Sequence, residues 1–143
     1  FTFFHPGFNV RSTDLQAFIG INQLDKADEI CQARNSNFNT YQKFLKNSFS
    51  LAEKGNFTSN FAYPIISLMR DEIAEDLTNA GVEVRPLICG SLGRQPFYVK
   101  TYGVCELPNA DKVHRFGMYL PNHHLLNTDD IRLICDIVNT YEN

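Results

Sequence analysis

The chain has 143 residues, the size of one domain, and 43% of them are hydrophobic, an ordinary share for a globular protein. Its formal net charge of −3 argues against a general nucleic-acid binder, which needs a basic surface to neutralise phosphates. No apolar run approaches the roughly 20 residues that span a bilayer, so no membrane partner is expected either.

Residues 1–11 read as an extended leading segment, broken by Pro6-Gly7 and without the pattern of a signal peptide. Thr13 with Gln16 three residues on is a capping-box pair, so a first helix is predicted there with Leu15, Phe18 and Ile19 on its apolar face. Leu24, Ala27, Cys31, Arg34, Phe38, Tyr41 and Leu45 recur at spacings of three and four, which predicts a long helix over 23–45. The polar stretch 49–60 reads as a loop, and 61–67, apolar and partly β-branched, as a strand. A helix is predicted over 69–80, stopped at Gly81, then a second strand over 82–88. Residues 89–103 form a loop rich in glycine, aromatic and basic side chains. A short helix over 109–115, a third strand over 116–120 and a final helix capped by Asn127 or Thr128 complete the chain. The expected fold class is α+β, a small three-stranded sheet covered by helices, with a long N-terminal helix.

The four cysteines, Cys31, Cys89, Cys105 and Cys135, lie far apart in sequence and show no zinc or iron–sulfur spacing. They read as reduced apolar residues, which suits a cytoplasmic protein. His123 and His124 are adjacent, so their side chains diverge, and no third ligand accompanies them; no metal site is expected.

Residues 7–24 read Gly-Phe-Asn-Val-Arg-Ser-Thr-Asp-Leu-Gln-Ala-Phe-Ile-Gly-Ile-Asn-Gln-Leu. This phrase resembles the signature of the DegT/StrS-type family of pyridoxal-phosphate (PLP) dependent sugar aminotransferases, with Phe8 in place of a tyrosine and Phe18 in place of an alanine. Four further phrases agree in order. Gly81-Val82-Glu83-Val84-Arg85-Pro86 is similar to a family strand. Gly90-Ser91-Leu92-Gly93-Arg94-Gln95-Pro96 and Leu107-Pro108-Asn109-Ala110-Asp111 are similar to the sugar 3-dehydratase branch, Ser91 departing from an asparagine. Leu120-Pro121-Asn122-His123 is similar to the family's closing phrase.

The resemblance implies a fold-type I PLP enzyme of which residues 1–143 are the C-terminal lobe, the N-terminal cofactor domain being absent. The Schiff-base lysine, or the histidine that replaces it in one branch, would precede Phe1, since no lysine here has a matching context. No catalytic residue is therefore expected in this chain, and alone it is expected to be inactive. Asn9 matches the asparagine that reaches the PLP phosphate of a homodimer partner; it also suits a turn after Pro6-Gly7. Arg11, Arg94 and His123 match positions expected on the substrate, a nucleotide-diphosphate sugar. Arg11 is as well suited to pairing with Asp14, Arg94 to an exposed loop, His123 to a helix end, and Arg85 to pairing with Glu83. The implied reaction is transamination or 3-dehydration of a keto-deoxy sugar for lipopolysaccharide or O-antigen synthesis, the Arg94-Gln95-Pro96 loop tilting toward dehydration. The rival reading is a stand-alone, non-catalytic module for nucleotide-sugar binding or dimerisation.

Overall fold

The computed structural model describes residues 2–8, 12–47, 56–88 and 90–142. Among these residues, six α-helices and three short strands follow in the order α1 Asp14–Leu24, α2 Ala27–Phe44, β1 Ala62–Ile66, α3 Arg70–Asn79, β2 Arg85–Pro86, α4 Pro96–Tyr102, α5 Pro108–Phe116, β3 Gly117–Pro121 and α6 Thr128–Asn139. The sheet is antiparallel with β3 in the middle, in the order β1-β3-β2. The α+β class is as expected, and so is the small sheet.

One face of the sheet carries the core. Tyr63 stands opposite Leu120 and Ile65 opposite Met118, so period-two alternation puts all four on one side. Phe38, Tyr41 and Leu45 from α2 and its end, Ile73 and Leu77 from α3, and Ile131, Ile134, Cys135 and Val138 from α6 fill that side. Each fully buried aliphatic side chain contributes roughly 1.5–3 kcal/mol. The helix α6 packs on both α2 and α3. It is started by a reciprocal cap. Asn127 Oδ1 accepts from the Asp129 and Asp130 N–H groups at 2.8 and 2.9 Å, and Asp130 Oδ2 accepts from Asn127 N at 3.0 Å.

Three expectations are corrected, and the apolar face of the first helix is left uncovered. The long helix predicted over 23–45 is present as α2 but starts later, at Ala27, because Gln23 and Leu24 still belong to α1 and the chain tightens into a turn at Asp25-Lys26, where Lys26 N donates to Gln23 O. The first helix has its predicted capping box, yet buries none of its residues; Leu15, Phe18 and Ile19 are exposed. The second strand shrinks to Arg85–Pro86, since Pro86 has no N–H to continue a ladder and suits a sheet edge. The loop predicted over 89–103 contains a 3-10 turn, Leu92–Arg94, and the helix α4. Pro96 occupies the first turn of α4 and Gly103, at φ 80°, ends it.

Candidate functional site

Two hollows lie at opposite ends of β3. The first, of about 590 Å³, is walled by the end of β3, the approach to β2 and α6. Phe61 and Tyr119 form an aromatic pair there, with ring centroids 5.3 Å apart, and Arg85, His123, Leu126 and Leu133 complete the wall.

The segment that carries His123 is held by α2. Asn37 Nδ2 donates to the His123 carbonyl at 2.9 Å, and the Tyr41 hydroxyl donates to the Pro121 carbonyl at 2.8 Å. Asn122 Nδ2 donates to the carbonyls of Asn60, at 2.8 Å, and Arg34, at 3.3 Å. Burial, with smaller contributions from Cys135, Tyr63 and Asp130, pushes the Tyr41 phenol well above its ordinary pKa, so it remains a donor across the physiological range. His123 Nδ1 accepts from Leu125 N at 3.3 Å. That bond leaves Nε2 to carry the proton of the neutral ring, so the exposed edge of His123 is a hydrogen-bond donor. The nearby Arg85 pairs with Glu83, Nη2 to Oε1 at 2.7 Å, which satisfies the pairing alternative at that residue.

The second hollow, of about 490 Å³, is walled by Arg70, Arg94, Asp111, His114 and Arg115. Arg94 meets Asp111 with two parallel bonds, Nε to Oδ1 at 3.1 Å and Nη2 to Oδ2 at 2.6 Å. The Arg94 guanidinium, foremost, holds the Asp111 carboxyl down at about 2, and the hydrogen bond to Asp111 raises Arg94 in turn. Gly90 faces the imidazole of His114 at φ 58°, where any Cβ would collide with the ring, so the loop before Arg94 lies close against α5. Behind Arg94, Gln95 Oε1 accepts from Phe3 N at 2.8 Å and Phe97 N donates to Phe3 O at 3.0 Å. These bonds tie the leading segment to α4. Tyr98 and Tyr102 pack on one another, with centroids 4.9 Å apart, and not over the hollow's charged walls.

Of the sequence-predicted residues, Arg94 and His123 are described, and they are not brought together. The strand β3, about 16 Å long at about 3.3 Å per residue, separates their hollows. Asn9 and Arg11 lie outside the described residues. Arg70, His114 and Arg115 were missed by sequence reasoning. They come from two helices, and nothing in the linear order joins them.

A model of the DegT/DnrJ/EryC1/StrS aminotransferase family matches residues 2–139. The lipopolysaccharide biosynthesis protein RfbH of Salmonella typhimurium is 31% identical, over 92% of this chain and 33% of that protein. The UDP-4-amino-4,6-dideoxy-N-acetyl-beta-L-altrosamine transaminase of Campylobacter jejuni is also 31% identical, over 91% of this chain and 37% of that protein. Among solved structures, the E. coli GDP-4-keto-6-deoxy-D-mannose 3-dehydratase with bound hydrated PLP superposes with a TM-score of 0.74 at 24% identity, over 92% of this chain and 36% of that one. That likeness speaks for the fold. The chain spans about a third of the length of these proteins.

PLP chemistry requires a shielded amine or its substitute beside an anion cradle. Lys26, Lys43, Lys46, Lys100 and Lys112 are all exposed, and none lines either hollow. Among the described residues, then, no lysine stands in either hollow to hold PLP covalently.

Proposed function

The chain belongs to the DegT/DnrJ/EryC1/StrS aminotransferase family, and on that premise we propose that it is the C-terminal lobe of a larger PLP-dependent enzyme acting on a nucleotide-linked keto-deoxy sugar. The reaction is transamination or 3-dehydration, in the making of lipopolysaccharide or O-antigen sugars. The observation that carries this reading is the family match over 2–139, in a chain that spans about a third of its relatives. Those relatives include a protein named for lipopolysaccharide biosynthesis and a nucleotide-sugar transaminase.

In this reading His123 presents its Nε2–H to the sugar, and Arg94 serves the charged part of the substrate. Asn9 serves the cofactor phosphate of the partner subunit in a homodimer, and Arg11 the substrate. The exposed apolar side chains of α1 fit a helix that another body covers.

The test is turnover. The intact protein is supplied with PLP and a GDP- or UDP-linked 4-keto-6-deoxy sugar, with and without glutamate, and the products are weighed by mass spectrometry. Exchange of the keto oxygen for an amino group identifies transamination; loss of the 3-hydroxyl identifies dehydration. Tight binding of the sugar nucleotide without any conversion would transfer the assignment to a non-catalytic binding module.

A further inference from the structure

We propose that the hollow between α3, α5 and the 3-10 turn at Leu92–Arg94 is a binding site for a diphosphate. Its wall is made of charged or ionisable side chains alone: Arg70, Arg94, Arg115 and His114 against the single carboxylate Asp111. Three guanidiniums placed around one open space repel each other, and the wall holds one carboxylate against them, with Glu106 acting on Arg94 from outside it. Asp111 is used by Arg94. Asp71 is used by Arg70, through Nε at 2.8 Å and Nη2 at 2.6 Å, and its own side chain is 80% exposed and outside the wall. Arg115 has neither an ion pair nor a hydrogen bond from its side chain among the described residues. Its guanidinium lies over the Phe116 ring, 5.1 Å from the centroid.

The geometry fits an anion with several oxygens. Arg94 spends Nε and Nη2 on Asp111, which fixes the guanidinium plane and leaves Nη1 without a partner among the described residues. Arg70 spends Nε and Nη2 on Asp71 and offers Nη1 only a 3.5 Å contact with the His114 carbonyl. The acids thus orient two of the cations and still leave each with an edge to donate. A planar guanidinium is the side chain best matched to phosphate oxygens, since it presents paired N–H groups and cannot lose its charge. The volume of about 490 Å³ accommodates a diphosphate with water. The choice of a diphosphate over another anion rests on the nucleotide-sugar reading above; the anion site itself rests on these side chains.

The experiment is calorimetric titration of the intact protein with inorganic pyrophosphate at low ionic strength, where surface charge is least screened. Saturable binding is expected, weakened at least tenfold by Arg115→Gln, whose side chain is exposed, and circular dichroism of the variant should match the parent's. Arg132→Gln is the control, because its guanidinium lies over Phe44, 4.8 Å from the centroid, on another helix; it should bind as the parent does. Failure of pyrophosphate to saturate, or equal affinity in Arg115→Gln and parent, overturns the site. Displacement of pyrophosphate by UDP or GDP identifies a nucleotide-borne diphosphate. Saturable binding that neither displaces keeps the site as one for a free diphosphate. Sugar turnover without pyrophosphate binding sinks this site and leaves the proposed function standing, whereas pyrophosphate binding without any turnover does the reverse.

Discussion

Asp111 grips Arg94 by two parallel bonds, and the consequence is readable in acid. A carboxylate whose native pKa is depressed stabilises the fold above its unfolded value, here near 3.8, and loses that contribution as pH falls toward its native value of about 2. The stability difference between the parent and Asp111→Asn should therefore be largest above about pH 4 and should close as the pH approaches about 2. Thermal melts of both proteins across that range measure it, and carboxylates common to both cancel in the difference. A difference that stays constant through the range would mean the Arg94 pair does not form in solution. Sequence order gave little help with this pair. Arg94 is conspicuous by its chemistry, but its partner stands 17 residues away on another helix. The Arg85–Glu83 pair, two residues apart on one short segment, was open to view. His123 stood out in its phrase, whereas the bonds beside it, from Asn37 and Tyr41 of α2 to the His123 and Pro121 carbonyls and from Asn122 to the Arg34 carbonyl of α2, depend on the way the helix crosses the strand end.

Elements with a strong period and a clear cap were legible in the sequence: β1, α3, α5, β3 and α6 lie within a few residues of their expected bounds. The helix α4 was not, because Phe97, Tyr98, Val99, Thr101 and Tyr102 are weak helix formers; the informative signal was the punctuation, Pro96 at its start and Gly103 at its end. The break at Asp25-Lys26 has no glycine or proline to announce it. Helices α1 and α6 begin with the same device, a reciprocal capping box, and differ in the fate of their apolar faces. The α6 stripe is buried and α1 buries nothing. Asn127→Ala should therefore cost about 1 kcal/mol of global stability, the usual worth of a cap. Thr13→Ala should fray α1 while leaving the unfolding midpoint of the 143-residue chain in place, since α1 adds no core contact to lose. Urea melts give the first quantity, and amide exchange in α1 gives the second. A shared loss in both melts would show that α1 is docked on this lobe.

At the scale of the molecule, α1 is the element that the rest of the described chain does not account for. On a helical wheel Leu24, Ala17, Ile21, Phe18, Leu15 and Ile19 sweep about 220° of the circumference, interrupted by Asp14 and Asn22. A helix lying on one core needs a stripe of only roughly 100°. An arc of twice that width is the pattern of a helix enclosed on more than one side, yet Leu15, Phe18 and Leu24 are 69%, 67% and 71% exposed. The proposed lobe of a larger dimeric enzyme supplies such an enclosure from the remainder of the protein and from a second copy. The same substitution must then act differently in two contexts. In the 143-residue chain, Phe18→Glu replaces a side chain already in water and should shift stability by no more than about 0.5 kcal/mol, as surface changes do. In the intact protein it sets a carboxylate into an apolar contact, and it should lower the denaturation midpoint and loosen the assembly, because a buried unpaired charge costs far more than a lost contact. Denaturant melts of both forms, with sedimentation velocity on the intact protein, measure the two effects. A negligible shift in both contexts would leave α1 uncovered in the intact protein and remove its support for the lobe reading.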